Sequence, residues 1–187
     1  MEENVAFTPQ YSPNKLAFKS ALVYTVYFLM LIYIFKMLGI DQNNPNMTTV
    51  EKIVSSTLSY VPFILAILYV QTNFKKELGG YITFGKAFSA GFKVAAYSGL
   101  FVGFVLIVYY KFLDREAFEA LIDLALQKAG NDAQQVKGIE MTRSYMAFFI
   151  GFGGAVSYTL TGLVVSLISA AIIKRDRPLY EVNELQP

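Results

Sequence analysis

The chain has 187 residues, of which 55% are hydrophobic and 16% charged, where soluble domains run nearer a quarter charged. Its formal charge of +2, scattered along the chain, is no footprint for nucleic acid, and the absence of Cys and His removes thiol chemistry, disulfides, nearly every zinc site and the commonest general base. Charge is missing from four long blocks and the mean hydropathy is +0.42, so the expectation is an integral membrane protein in contact with lipid, with no cofactor, no metal, no catalytic group and no nucleic-acid partner.

Residues 1–17 form a polar tail with Pro9 and Pro13. It lacks the basic start, apolar run and small-residue cleavage site of a removable signal peptide. Span one is predicted over residues 18–38. Ser20 to Phe35 is uncharged, and Lys15, Lys19 and Lys36 bracket it. A hydrocarbon core of roughly 30 Å takes about 20 helical residues, so Lys19 and Lys36 must extend their ammonium groups toward the headgroups. Gly39 ends the helix, and Asp41 to Asn46 is a turn-rich loop around Pro45. Thr48 or Thr49 can cap the next helix, with Glu51 in its first turn.

Span two covers residues 53–74, begins with several hydroxyl residues and carries Pro62. Proline removes a backbone donor and crowds the carbonyl four residues back, here Leu58. A kink is expected, with a neighbouring hydroxyl relieving the freed carbonyl, and it reads as packing rather than as a hinge. Gly79 and Gly80 end a short basic turn, and Thr83 can cap span three.

Span three, residues 84–110, is the helix around which the others are expected to pack. Every fourth position is small: Ala87, Gly91, Ala95, Gly99 and Gly103. In lipid, association is driven by close packing, which small residues permit. A period of four drifts around an axis with 3.6 residues per turn, so the ladder reads as a slanting groove for a crossing neighbour. Lys86 and Lys93 share a face of this helix and are expected to contact lipid headgroups, or for Lys93 an internal anion. Tyr109, Tyr110 and Lys111 mark the exit at an interface.

Residues 114–129 are predicted to form an amphipathic helix outside the membrane, with Phe118, Leu121, Ile122 and Ala125 on its apolar face. Asp114, Glu116, Glu119 and Asp123 could suggest a metal or acid–base site, but Arg115 and Lys128 among them make a solvated charged face the better reading. Ala129 to Asp132 stops the helix, and Asp132 can cap a further stretch leading to span four. That span lies over residues 145–173. Gly151, Ala155 and Thr159 form one row of small residues, and Gly162, Ser166 and Ala170 another, as a groove for a bundle neighbour. Residues 178–187 close the chain as a polar tail.

The fold class is therefore all-α: an integral membrane four-helix bundle in one domain, residues 18–177, with an amphipathic extramembrane helix between spans three and four. The clearest basic cluster near span ends is Lys75, Lys76, Lys174, Arg175 and Arg177. The positive-inside rule places it, and with it both termini, in the cytoplasm.

The run Gly79-Gly80-Tyr81-Ile82-Thr83-Phe84-Gly85-Lys86-Ala87-Phe88, the exit Tyr109-Tyr110-Lys111-Phe112-Leu113-Asp114 and the Gly-rich last span ending in Lys174-Arg175 resemble the bacterial membrane-protein family catalogued as domain of unknown function four-one-nine-nine. The likeness runs from about Lys19 to Arg177. It implies a small multi-pass protein of the bacterial cytoplasmic membrane with four helices, and it brings no activity and no catalytic residues.

Three functions then compete. The first is a non-enzymatic accessory or scaffold subunit, whose partners are other membrane proteins or further copies of itself. The second is an oligomeric transporter or channel with Lys93, Gln71, Tyr97 and Ser98 along a polar path. The third is a lipid-directed enzyme using Lys86, Lys93 and Tyr81, which without acid or His is poor acid–base equipment. No span carries an acid in its interior, where proton-coupled transporters normally keep an ionisable group, and this favours the first.

Overall fold

The computed structural model describes residues 12–40 and 47–176. The expected tails and the Asp41 to Asn46 loop fall largely or wholly outside them, as does Arg177. Within the described residues the chain is all-helical, with no strand. The elements are α1 (Asn14–Met37), α2 (Thr49–Glu77), α3 (Phe84–Val108), a π-helical turn (Tyr109–Leu113), α4 (Arg115–Ala129) and α5 (Ala133–Ile173). Four helices are long and apolar enough to cross a membrane: α1, α2, α3 with its π turn, and α5. Their outward faces carry large apolar side chains such as Val23, Leu65, Leu100 and Leu160, more than half of each exposed. Water-soluble monomers rarely leave such faces bare, and the chain is a multi-pass membrane protein.

Local sequence explains most helix ends. The Thr48 hydroxyl accepts from the Glu51 amide at 3.3 Å, while the Glu51 carboxylate accepts from the Thr48 amide at 2.9 Å, a reciprocal cap. Asp132 accepts from the amides of Gln134 and Gln135 and starts α5. Gly79 and Gly80 have φ of +78° and +88°, a left-handed pair that turns the chain from α2 into α3. Thr83 occupies the capping position of α3, but its side chain makes no capping bond. The entry is held by the backbone instead: Ile82 and Arg175 exchange two N–H···O bonds of 2.9 Å, tying the α2–α3 turn to the end of α5. Lys75 adds a bond from its ammonium to the Ile173 carbonyl, satisfying one of the last carbonyls of α5.

α3 packs against α1, α2 and α5, and its contact with α5 is the most extensive. The small residues meet one another in antiparallel register. A Cβ at Gly91 would lie 2.8 Å from the Ser166 hydroxyl, one at Gly99 2.7 Å from the Ala155 carbonyl, and one at Gly103 2.7 Å from the Gly151 carbonyl. A Cβ at Gly162 would collide with Ala95. The neighbour that fills the ladder is α5, through its own small residues Gly151, Ala155, Thr159, Gly162 and Ser166. The two rows expected on α5 thus serve one neighbour.

α2 continues through Pro62 without interruption. The Leu58 carbonyl that proline frees accepts the Tyr27 hydroxyl of α1 at 2.9 Å, and the next carbonyl, Ser59, accepts Tyr24 at 2.9 Å. Tyr24 also packs on Phe63 and Tyr158, joining α1, α2 and α5 in one aromatic cluster. Near the basic end, the fully buried Gln71 fills the notch left by Gly91 and donates to the Ala87 carbonyl at 3.1 Å and the Ser166 carbonyl at 3.4 Å.

Several boundaries shift. α1 starts at Asn14 and α2 at Thr49, each four residues before the predicted span, and α2 runs on to Glu77. α5 is one helix of 41 residues, where the sequence suggested a separate stretch before residue 145.

Because even a methyl group at Gly99 meets the backbone of α5, Gly99→Ala is expected to lower the thermal midpoint in detergent, at a cost of about 1–3 kcal/mol, and Gly99→Leu by more. Gly153→Ala, with nothing within 4 Å of its Cβ position, serves as the control and should hold its midpoint. Equal midpoints for Gly99→Ala and wild type would mean that α3 and α5 do not touch there.

Candidate functional site

A cleft of about 670 Å³ opens between the last turns of α1, the π turn that ends α3, and α4. It is built by a local change in helix geometry. The Asp114 amide bonds to the Tyr109 carbonyl at 2.8 Å, five residues back, so the chain widens by one residue before it breaks. Such single π turns occur often at functional sites. The widening leaves Tyr109 buried and turns Phe112 and Leu113 outward.

Asp114 is the joint of the site. Its Oδ1 accepts from the Ala117 amide at 3.1 Å and so caps α4. Its Oδ2 accepts from the Tyr109 hydroxyl at 2.6 Å and from the Lys36 ammonium at 2.5 Å. One carboxylate thereby connects α1, the π turn and α4. Its side chain is 3% exposed, whereas that of Lys36 is 51% exposed. Burial alone would push the Asp114 carboxyl up. The hydrogen bonds from Lys36, Tyr109 and the Ala117 amide, with the Lys36 charge, outweigh it and hold the group below its ordinary value of 3.8.

From this joint the cleft runs along α1 past Phe35 and Ile32 to Phe28, with Leu106 of α3 and Leu121 and Leu124 of α4 as facing walls. Phe28 and Lys36 are eight residues apart, roughly 12 Å along a helix. The rim is polar: Glu116, Asp123 and Gln127 from α4. α4 is held further by the Glu119–Arg143 ion pair to α5 and by the buried Ile122, while Lys111 lies 4.3 Å from the centre of the Phe148 ring. A second, smaller groove of about 270 Å³ lies between α2 and α5, lined by Ile64, Leu68, Val165 and Ile168, and is almost wholly apolar.

The residues singled out from the sequence fall elsewhere. Ala87, Gly91, Ala95, Gly99 and Gly103 are buried along α3, with Gly151, Gly162 and Ser166 buried and Ala155 half-buried opposite them on α5. Lys86 is exposed. Lys93 is half-buried and forms no hydrogen bond or ion pair among the described residues. Phe18, one turn into α1, packs edge-on to Tyr97 and Phe101, so α1 starts near the level of Lys93 and the first turns of α3 extend beyond it. Gln71 and Ser98 are fully buried, and neither they nor Lys93 and Tyr97 line either of these two clefts. Tyr81 lies beneath the Arg175 guanidinium, 5.3 Å from ring centre to carbon. Among the described residues, no three Asp or Glu side chains are grouped to hold a metal ion.

The Lys36–Asp114–Tyr109 set was not apparent from the sequence. Its one legible sign is an aspartate directly before a helical pattern, which is a capping signature. Its partner Lys36 is 78 residues away, and no periodicity reports such a pair.

A family model described as a protein of unknown function (DUF4199) matches residues 19–175. No curated protein and no solved structure matches the chain.

A carboxyl whose folded value is depressed contributes stability that is complete above its unfolded value and is lost as pH falls through the folded one. Asp114→Asn is therefore expected to be less stable than wild type near neutral pH, by about 1–3 kcal/mol. The gap between the two thermal midpoints in detergent should close as pH is lowered from about 6 to about 2. A gap of constant size across that range would mean that the Asp114 charge is not coupled to folding.

Proposed function

The chain belongs to this family of unknown function, DUF4199, and from that premise we propose that it is a non-enzymatic accessory or scaffold subunit of the bacterial cytoplasmic membrane. The observation that carries the reading is the closed interior. α3 and α5 approach backbone to backbone from Ala95 to Gly103, and the Gln71 amide fills the notch at Gly91. The small-residue faces are occupied by one another. Docking then falls to the outer faces of the bundle and to α4, the parts that a membrane protein or a second copy can reach.

Length supports a reading in which α4 lies outside the hydrocarbon. A helix of 41 residues spans roughly 60 Å, about twice the hydrocarbon core. Only Ser144 to Ile173 is uncharged, so the first turns of α5 project from the membrane and α4 packs on that projecting part. For orientation, Lys75, Lys76, Lys86, Lys174 and Arg175 gather at the end where Ile82 meets Arg175, with Glu77 and Asp176 as nearby acids. The opposite end mixes its cations with acids. The positive-inside rule puts the basic end, and both termini, in the cytoplasm.

Extraction in mild detergent is expected to bring down a membrane partner, or a second copy, in fixed stoichiometry. Vesicles reconstituted with the pure chain should show no more solute flux than empty ones. Flux that disappears with Lys93→Ala would overturn the reading in favour of transport. A reporter active only outside the cytoplasm should work when inserted after Gly130 and stay silent at the carboxy terminus; the reverse result inverts the topology.

A further inference from the structure

We propose that the cleft between α1, the π turn and α4 is a binding site for an amphiphile that has one hydrocarbon chain in the cleft and an ammonium group at its head. This goes beyond the accessory role and stands whether or not the chain has a protein partner.

The cleft is divided by depth into two chemical environments. Its lower walls, Phe28, Ile32, Leu106 and Leu124, offer hydrocarbon and no hydrogen-bonding side chain. With roughly 12 Å of α1 between Phe28 and Lys36, a stretch of alkyl chain can lie along the helix. Pockets of a few hundred cubic ångströms that are mostly apolar with a few convergent polar groups are the usual form of small-molecule sites.

The sign of the head follows from the charges at the mouth. The Lys36 ammonium is already matched by the Asp114 carboxylate at 2.5 Å. Glu116 and Asp123 also line the cleft, and neither has a hydrogen bond or ion pair among the described residues. Glu116 also acts on the Lys36 charge, and the lining still holds three carboxylates, Asp114, Glu116 and Asp123, against the one ammonium, around an apolar slot whose wall includes Tyr109 and Tyr110. Carboxylates together with aromatic rings attract a cation. A phosphate or sulfate head would sit against Glu116 and Asp123, and an uncharged head would leave both without use.

The chain contains no tryptophan, so Leu124→Trp places a single reporter in the cleft wall. The probes are three amphiphiles with the same brominated chain and a trimethylammonium, a sulfate or a maltoside head, titrated at constant micelle concentration in neutral detergent. The ammonium probe is expected to quench the Leu124→Trp signal at about fivefold lower mole fraction than the other two, the size of an exposed cation–π contact joined to screened carboxylates. Adding Glu116→Gln and Asp123→Asn should abolish the preference. Leu100→Trp, on the outward face of α3, should show no preference at any stage. If Leu124→Trp does not fold, Gln127→Trp on the exposed rim reports the same event.

Equal quenching by all three heads, a preference for sulfate, or an ammonium preference that survives the double substitution would each overturn the proposal. Lipid analysis of the purified protein distinguishes the source. An amine-headed lipid retained by wild type and lost from the double variant identifies a membrane lipid, whereas selective probe binding without a retained lipid identifies a diffusible amphiphile.

Discussion

At Gly99 and Gly103 there is no room for a methyl group between α3 and α5. The carbonyls of Ala155 and Gly151 stand where a Cβ would be. In hydrocarbon this contact has to supply what water expulsion supplies elsewhere, because lipid tails are as apolar as the side chains they would replace. Dispersion falls off steeply with distance, so a gap of even half an ångström along the seam forfeits much of it. The rest of the bundle is arranged on that seam. α1 and α2 both pack against α3, and Gln71 of α2 reaches the carbonyls of α3 and α5 because Gly91 leaves space for its amide.

The backbone carbonyl beside Pro62 obeys the same solvent argument. Without water, a freed carbonyl must find its donor within the protein. Pro62 frees the Leu58 carbonyl, and Tyr27 of the neighbouring helix supplies the hydroxyl. The cost of putting proline in α2 is thereby offset by a bond that also fixes the register of α1 against α2. A phenylalanine at position 27 would keep the packing and lose that register constraint.

These cases separate what the amino-acid order reveals from what it does not. The Thr48 cap, the Asp132 cap and the small-residue ladder are local patterns, legible because their parts lie within a few turns of one another. The need for a hydroxyl near Leu58 was also legible, but Tyr27 as its source was not, since the two are 31 residues apart. Asp114 illustrates the limit more sharply. By spacing it is one acid on a charged helical face. Its burial, its bond to Tyr109 and its pairing with Lys36 depend on the π turn at Tyr109–Leu113, a stretch that carries no proline or glycine to announce it. The ladder was legible as a packing face. That α5 fills it depends on matching small residues in a helix far along the chain.

The two ends of the molecule are consequently held by different means. At the basic end, a backbone bridge, the Lys75 bond to Ile173 and the buried amide of Gln71 fasten three helices together. At the other end, α4 is attached by the buried Asp114 carboxylate, the buried Ile122 and Ala129, the Phe118 ring against Tyr110 and an exposed Glu119–Arg143 pair, and exposed pairs contribute little. Local opening takes the least free energy where few buried contacts hold an element in place. α4 is therefore the element whose local opening takes less free energy than parting the α3–α5 seam. The rigid seam and the loosely attached helix belong to one design: the seam keeps α1 and α3 in place as fixed walls, and Asp114 sets the position from which the third wall departs.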